Sequence, residues 1–277
     1  MTEWNASEYA RISALQAAMA QEVLALLRDR LRGDERVLDV GCGNGKVTRE
    51  IAALVPRGSV VGVDASAKMI EFASSNITNQ SDAAPPVAAT LRRHLPVANL
   101  SFQTMDARHL TFHEEFDLVV SFNALHWIPE AEQPLALHGI SAALKHGALA
   151  QLRLVTRGPR KSLENVIEET ATSATWQKYF ASHRDPYLHI LPEDYAALAE
   201  RCGFKVEHVE MHDHDWDFGS PAAFAAFGTV TFVEWSQHVP ETERAAFIAD
   251  ALASYSEVDG DDHTFRFYQM DLTARRV

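Results

Sequence analysis

Cysteine is scarce in this chain. Cys42 and Cys202 are its only two cysteines, and they lie far apart in the sequence. Two distant thiols cannot build the disulfide framework of a small secreted domain. We therefore expect a protein of a reducing compartment, with a cytoplasmic location.

Positive charge and long apolar runs are scarce as well. The chain has 25 Lys and Arg residues against 38 Asp and Glu residues, a net charge of −13. Nucleic-acid-binding proteins present a basic face, so we expect a small-molecule substrate and no nucleic-acid partner. No run approaches the ~18 apolar residues of a membrane span, so no membrane contact is expected. The 277 residues are enough for one large α/β domain with a cap, as a monomer or homodimer.

What the chain does contain is a glycine turn behind an apolar run. Residues 37–40 lead into Gly41, and Gly43 and Gly45 follow before an amphipathic helix. Glycines adopt positive φ and carry no Cβ, so backbone N–H groups in such a turn can approach a ligand closely. A tight strand–helix turn without a ligand is the alternative. Asp39, two residues before Gly41, is placed to receive a cationic amine.

Two further carboxylates follow later predicted strands. Asp64 ends the second apolar run, where a carboxylate can accept hydrogen bonds from both hydroxyls of a ribose. Asp106 follows the third strand, and its side chain with the N–H of Ala107 could read an adenine. The alternative for Asp106 is a loop aspartate that caps a turn. Lys46 stands where a dinucleotide fingerprint has its third glycine, which speaks against a nicotinamide nucleotide.

The glycine turn and Asp64 together resemble the S-adenosylmethionine site of class I methyltransferases. This resemblance implies S-adenosylmethionine as the cofactor and a set of residues that contact it. These residues are Asp39, Gly41, Cys42, Gly43, Gly45, Asp64, Ala65, Met69, Asp106, Ala107, Ser121 and Asn123.

The strand–helix alternation predicts an α/β fold. We expect a Rossmann-like, seven-stranded, mostly parallel sheet with an antiparallel last strand, helices on both faces, and a helical cap from inserted segments. Residues 1–277 are expected to form a single class I methyltransferase domain. The predicted cap segments are about 1–32, 156–202 and 219–259.

Three other segments carry more local predictions. The alternating last strand, about 264–271, is typical of an antiparallel edge strand. The Pro-containing stretch 76–98 predicts a surface loop or irregular insert. The N-terminal residues are expected to form a short extended arm that covers the site as a lid before a helix begins.

A finer resemblance links the chain to methyltransferases that act on free carboxylates. Residues 6–16 and 121–128 look like segments of insect juvenile hormone acid O-methyltransferases, as do residues 176–189. The start of the chain and the Trp127 region are similar to trans-aconitate methyltransferases. The first family implies that Gln16 and Trp127 hold the substrate carboxylate. Further predicted substrate contacts are Trp4, Tyr9, His126, Trp176 and Tyr187.

The chemistry of these residues suits a carboxylate acceptor. A carboxylate is already ionised at neutral pH, so methyl transfer to it needs no general base. The Gln16 amide and the Trp127 indole offer N–H donors that can orient it. The sequence thus predicts O-methylation of a small organic or isoprenoid-like acid, with Gln16, Trp127 and His126 as the catalytic candidates.

Other readings stay open at this point. His126 could act as the base for a phenol, carbon or nitrogen acceptor, or could be a structural histidine behind the pocket. The third possibility is an NAD-dependent dehydrogenase or a non-catalytic nucleotide-binding module. His208, His212 and His214 lie on one predicted strand, but their spacing matches no metal motif, so we expect no metal.

Overall fold

The structure is a computed structural model that describes residues 6–78 and 99–277. For residues 6–14, 16, 17 and 76–78 it describes the backbone alone. Most of the predicted insert, residues 79–98, lies outside the described residues, as does Trp4.

The described part of the chain forms a seven-stranded sheet in the order β3-β2-β1-β4-β5-β7-β6. Neighbouring strands from β3 to β5 are parallel, and β7 is antiparallel to both β5 and β6. The predicted mostly parallel sheet with an antiparallel last strand is confirmed. The strands are β1 (Arg36–Val40), β2 (Ser59–Asp64), β3 (Leu100–Thr104), β4 (Phe116–Phe122), β5 (Leu144–Thr156), β6 (Phe204–Asp217) and β7 (Thr264–Arg276).

The position predicted for β7 at the edge of the sheet is wrong. This strand lies between β5 and β6, and most of its residues are buried. Its alternation of apolar and polar residues arises because one face of the strand packs in the apolar core. Polar residues on the opposite face form pairs with residues of the neighbouring strands. Asp271, for example, lies opposite Arg153 and accepts hydrogen bonds from it at 2.7 and 2.8 Å.

Helices cover both faces of the sheet and build the cap. Among the described residues they are α1 (Ala6–Arg28), α2 (Lys46–Leu54), α3 (Ala67–Thr78), α4 (Gln133–Ala143), α5 (Leu163–Thr172), α6 (Pro192–Arg201), α7 (Pro221–Thr231), α8 (Val233–Ser236) and α9 (Arg244–Asp259). None of the helices in this part of the chain is long and apolar enough to cross a bilayer.

The core falls into layers that separate the sheet from the cap. Helix α6 contributes Tyr195, Leu198 and Ala199 to the cluster formed with β4, β5 and β7. It therefore packs on the sheet, although it falls within the predicted cap segment 156–202. A second, aromatic cluster joins α5, α7 and α9 into the cap, and it reaches Trp127 at the edge of the sheet.

The N-terminal residues differ from the predicted extended arm. Helix α1 begins at Ala6, so the arm prediction is wrong from that residue onward. Val23, Leu24 and Leu27 at the far end of α1 pack with β1 and α2 against the sheet. Leu15 belongs to the aromatic cluster of the cap, so this single helix contacts both layers.

Candidate cofactor and substrate site

The glycine turn is the first component of the site. Gly41, Gly43 and Gly45 all have positive φ, at 78°, 51° and 73°. A Cβ on Gly41 would lie 2.1 Å from the Cβ of Ala124, whereas no atom of the described residues lies within 4 Å of a Cβ built on Gly43. The turn therefore packs tightly against the end of β4 and leaves open space above Gly43, which suits close approach of a ligand to the backbone.

Asp64 borders this open space at the end of β2. One of its oxygens accepts a hydrogen bond from the N–H of Gly43 at 2.9 Å, and the other accepts from the N–H of Ser66 at 2.8 Å. Each oxygen keeps a further lone pair for a hydroxyl donor. Ala65 and Met69 are exposed beside it, and the Met69 N–H donates to the hydroxyl of Ser66, which caps α3. These residues fit a nucleoside with its ribose on Asp64.

Asp39 lies beneath the turn and is only 3% exposed. Its carboxyl accepts a hydrogen bond from the Thr48 hydroxyl at 2.7 Å. Burial raises the pKa of Asp39 to about 7, the Thr48 hydrogen bond opposes this rise, and nearby Asp64 adds to it. A cationic amine near Asp39 would favour its charged form, so the predicted amine contact is chemically reasonable.

Cys42 and Ser121 have structural partners. The Ser121 hydroxyl is buried and donates to the carbonyl of Val40 at 2.8 Å, which ties β4 to β1. The Cys42 side chain is buried against β2, and burial raises the pKa of its thiol far above the usual range, with Asp39 raising it further. These two side chains stabilise the turn, so any contact they make with the cofactor is expected through their backbone atoms.

Asp106 caps a short 3-10 turn formed by Ala107–His109, and its side chain accepts from the N–H of Arg108 at 2.9 Å. The Arg108 guanidinium also binds both of its oxygens and pairs with Glu132. The hydrogen bond to Arg108 lowers the pKa of Asp106. The structure thus shows the turn-capping alternative, and an adenine contact, which stays a prediction, would share the carboxylate with Arg108.

The second component of the site is an aromatic group at the end of β4. The 3-10 turn Leu125–Trp127 presents His126 and Trp127, and the Tyr187 ring packs on both at centroid distances of 5.0 and 5.1 Å. The backbone joins the same segments, because the N–H of Leu188 donates to the carbonyl of His126 at 2.9 Å. The fold therefore brings together three of the predicted substrate residues.

His126 is buried, and its Nδ1 accepts a hydrogen bond from the backbone N–H of Val155 at 3.2 Å. An imidazole that accepts at Nδ1 carries its proton on Nε2 when it is neutral. Burial lowers the pKa of His126 to about 3. The side chain is thus a neutral hydrogen-bond donor, and its geometry does not suit a general base.

The indole N–H groups distinguish the tryptophans of this region. Trp127 is partly exposed, and its N–H donates to no residue in the described part of the chain. In contrast, Trp176 donates to Asp250 at 2.9 Å and Trp235 donates to Glu168 at 2.9 Å. Trp127 therefore offers an N–H donor that the described residues leave free for a ligand.

Trp176 lies away from this group. It is 4% exposed, packs on Phe247 at 5.4 Å, and borders a cavity of about 380 Å³ between α5 and α9. Its N–H is already bonded to Asp250, because the cap folds α9 onto the segment that follows α5. We therefore remove Trp176 from the candidate substrate residues and assign it to the cap core.

Tyr187 has a second role behind the aromatic group. It is 6% exposed, and burial followed by the neighbouring Glu164 raises the pKa of its hydroxyl well above the usual value. Glu164 is itself buried, and burial raises the pKa of its carboxyl. The ring of Tyr187 packs edge-on against Trp127, and its hydroxyl interacts with Glu164 of α5.

The structure describes only part of the N-terminal segment that was predicted to contact the substrate. Tyr9 and Gln16 lie in α1, but their side chains, like the whole of Trp4, lie outside the described residues. In the part that is described, no three His, Cys, Asp or Glu side chains lie together so as to hold a metal ion.

Asn123, one of the predicted cofactor contacts, lies at the end of β4 beside Gln269 of β7, a residue that sequence reasoning missed. Asn123 has φ of 55°, and its side chain contacts Met19 of α1 and Gln269 of β7. Gln269 is fully buried. Gln269 is a polar residue on the face of β7 that begins with Phe265 and Phe267, and this was the available signal. Nothing in the local pattern identified its partners.

Comparisons with known proteins agree with this geometry. A family model described as a methyltransferase domain matches residues 37–147. The chain is 30% identical to a trans-aconitate 2-methyltransferase of Escherichia coli over 249 residues, 90% of this chain and 86% of that protein. It is 27% identical to an uncharacterized methyltransferase of Schizosaccharomyces pombe over 209 residues, 75% of this chain and 72% of that protein.

The fold is shared with a solved structure of low sequence identity. The YcgJ protein of Bacillus subtilis superposes with a TM-score of 0.61 at 17% identity, covering 92% of this chain and 98% of that one. Taken with the glycine turn and Asp64, these findings define the class: this chain belongs to the class I S-adenosylmethionine-dependent methyltransferases. Its cofactor is S-adenosylmethionine, which decides against the dehydrogenase and non-catalytic alternatives.

Proposed function

We propose that this enzyme transfers a methyl group to a carboxylate oxygen of a small organic acid. The observation that carries the proposal is the hydrogen bond from the Val155 N–H to Nδ1 of His126. This hydrogen bond holds the histidine as a neutral donor, so the aromatic group offers N–H donors to a ligand and no general base. A methyl acceptor other than a carboxylate would need such a base.

The alternative acceptors place a demand on His126 that its surroundings oppose. A phenol or an amine that enters protonated must lose a proton, and the transfer is aided by a base with a pKa near the working pH. The pKa of His126 is lowered to about 3, and the nitrogen that could accept a proton is engaged with the backbone. A carboxylate avoids this requirement because it is ionised at neutral pH.

The similarity to a named relative supports the same acceptor. The Escherichia coli relative is named a trans-aconitate 2-methyltransferase, a name that denotes an organic acid as its substrate. The resemblance of the Gln16 and Trp127 segments to juvenile hormone acid O-methyltransferases also points to a carboxylate.

The contribution of the protein is mainly alignment and exclusion of water. S-adenosylmethionine supplies an electrophilic methyl group on a sulfonium. Trp127 donates its free N–H to the acid, and Tyr187 fixes the orientation of the indole ring by packing on it. Correct alignment of two reactants can contribute about 7–11 kcal/mol to lowering a barrier. We propose Gln16 of α1 as the second donor, with Trp4 and Tyr9 as further substrate contacts.

A turnover screen tests the proposal. Purified enzyme and S-adenosylmethionine carrying a deuterated methyl group are incubated with aliphatic, isoprenoid and tricarboxylic acids, and products are identified by mass spectrometry. Each acid is matched with its primary alcohol and primary amide, and phenols and amines form a separate panel. We expect a labelled methyl ester from one or more acids and no product from the matched compounds. Methylation confined to the phenol or amine panel would contradict the proposal.

A further inference from the structure

Two carboxamide groups converge on one atom at the end of β4. Nδ2 of Asn123 lies 3.6 Å from the sulfur of Met19, and Nε2 of Gln269 lies 3.8 Å from the same sulfur. The three residues come from β4, β7 and α1, so only the tertiary structure brings them together. Two N–H donors aimed at one point form the basic element of an anion-binding site.

The donors are rigidly held but poorly satisfied. Nε2 of Gln269 also donates to Oδ1 of Asn123 at 2.5 Å, which fixes the two amides relative to each other. The backbone N–H of Asn123 donates to the carbonyl of Arg153 at 2.8 Å. A thioether sulfur is a weak acceptor, so the N–H groups that face Met19 gain little from it.

The Gln269 side chain carries a second sign of incomplete pairing. It is 0% exposed, and its Oε1 has no hydrogen-bond partner among residues 6–78 and 99–277. Buried polar side-chain atoms are nearly always hydrogen-bonded, so this exception calls for an explanation. An unpaired acceptor beside N–H groups that face only a thioether fits a ligand with both a donor and an acceptor, such as an amino-acid ammonium with its carboxylate.

The location suits a ligand of the reaction. Ala124, the residue after Asn123, contacts the glycine turn so closely that Gly41 could carry no Cβ. On the other side, Gln269 pairs across the sheet with Val155, whose N–H holds His126. The two amides therefore lie between the cofactor turn and the aromatic group.

We propose that Asn123 and Gln269 form a carboxylate-binding cradle, in which Met19 occupies the acceptor position in this structure. Hydrogen bonds to a charged oxygen are about twice as strong as neutral ones, so a carboxylate replaces the sulfur favourably. Met19 has a flexible, unbranched side chain that can turn away. The carboxylate is either the amino-acid carboxylate of the cofactor or that of the acid substrate, and the second case rests on the proposed function.

The substitution Gln269→Met tests the cradle, because it removes the amide while keeping an unbranched side chain of similar length. Affinity is measured by calorimetry for S-adenosylhomocysteine and for methylthioadenosine, which lacks the amino-acid carboxylate. KM and kcat are measured with an acid that the wild type methylates. The matched control is Gln151→Met. Gln151 is a buried glutamine of β5 on the same face of the sheet as Gln269, and its side chain accepts hydrogen bonds from Thr273 and Arg30.

If the cradle binds the cofactor, Gln269→Met weakens S-adenosylhomocysteine about tenfold to a hundredfold and leaves methylthioadenosine unchanged. If it binds the substrate, both nucleosides are unchanged and KM for the acid rises by a similar factor. The control changes none of these. Unchanged affinities and KM in the folded Gln269→Met variant overturn the cradle, even where acids are methylated normally.

A second variant keeps the inference testable if Gln269→Met does not fold. Asn123→Asp preserves a residue type that tolerates positive φ but replaces the donor with a carboxylate. It should weaken the same ligand at least as strongly, and unchanged binding would overturn the proposal. Failure of the wild type to methylate any acid contradicts the proposed function, and the S-adenosylhomocysteine measurement then decides on the cradle alone.

Discussion

Nδ1 of His126 accepts a hydrogen bond from the backbone N–H of Val155, 29 residues away in the sequence and 3.2 Å away in the structure. This contact decides between two chemistries that the sequence left open. It occupies the nitrogen that a base would use, while burial lowers the pKa of the ring to about 3. The histidine can donate a hydrogen bond from Nε2 to a ligand, but it has little capacity to take up a proton.

The first prediction follows directly from this contact. His126→Asn keeps an oxygen near the Val155 N–H and removes the imidazole. We expect kcat to stay within about tenfold of the wild type, because a general base typically contributes about 10²–10⁴ and none is lost here. A kcat lower by three orders of magnitude, together with a wild-type rate that follows a titration near pH 6–7, would support a base instead.

The lowered pKa of His126 also predicts how the stability of the fold depends on pH. His126 stays neutral in the folded protein down to about pH 3, whereas the unfolded chain takes up a proton near its ordinary pKa of 6.5. The unfolded state therefore binds more protons between these values. The contribution of His126 is fully present above pH 6.5 and is lost as pH falls towards 3. Urea unfolding at several pH values should show a steeper acid loss for wild type than for His126→Asn.

Trp127 and Trp176 make a matched pair for testing the substrate site. Trp127→Phe keeps an aromatic ring and deletes an N–H that has no partner among the described residues, so kcat/KM for an acid should fall about tenfold to a hundredfold. Trp176→Phe removes an N–H that is bonded to Asp250 in the cap. It should lower the free energy of unfolding by about 1–3 kcal/mol and leave KM unchanged. Equal kinetic effects of the two substitutions would argue against Trp127 as a substrate contact.

Asp64 should control cofactor affinity. Asp64→Ala removes an acceptor for the ribose hydroxyls, so we expect S-adenosylhomocysteine to bind about 1.5–3 kcal/mol more weakly. Asp117→Ala is the control, because Asp117 lies near the start of β4 and is paired with Lys145 at 2.7 Å. Calorimetry that finds the same affinity for Asp64→Ala as for the control would exclude the ribose contact.

Two glycines of the turn should respond differently to alanine. Gly41→Ala forces positive φ on an alanine and drives its Cβ to 2.1 Å from Ala124, so it should destabilise the fold by more than the backbone strain alone. The Cβ of Gly43→Ala meets no atom within 4 Å among the residues that the structure describes, so only the strain of about 1–2 kcal/mol applies. We expect the Gly43 variant to fold and to bind S-adenosylhomocysteine more weakly. Thermal unfolding that ranks the two equally would contradict this difference.

The buried ion pair between Arg153 and Asp271 should matter more for folding than for catalysis. Burial lowers the pKa of Arg153, but its hydrogen bonds to Asp271 and Glu22 outweigh this and leave the pKa raised. Arg153→Met leaves the Asp271 carboxylate buried without this partner, which typically costs about 3–5 kcal/mol. Replacing both residues, as Arg153→Met with Asp271→Leu, should recover much of the loss in a urea titration. Additive losses would show that the pair itself is not the source.

Much of the cofactor-binding part of the site was predictable from the sequence because its signals are local. The apolar run before Gly41, the positions of the three glycines and the carboxylate at Asp64 lie within neighbouring strand–turn–helix units. Turn chemistry and strand periodicity act over a few residues, so they can be read without knowledge of distant partners. The parallel half of the sheet was predicted from the same patterns, and the structure confirms it.

The substrate-binding part of the site was predicted less well, because it depends on which polar groups already have hydrogen-bond partners in the protein. Trp127 and Trp176 carry the same indole, but Asp250 takes the N–H of only one of them. Periodicity could not show this, since Asp250 reaches Trp176 only after α9 packs on the cap.

The sequence alone determined the class of the protein, through a glycine turn and a carboxylate whose spacing few other functions share. Only the tertiary structure decided the interior position of β7, the donor state of His126 and the meeting of Asn123 with Gln269. The physical reason is that hydrogen-bond partners and burial, which set tautomer, pKa and donor availability, come from segments far apart in the chain. A strand pattern specifies which faces are apolar, but the polar pairs formed across the sheet depend on which strand becomes its neighbour.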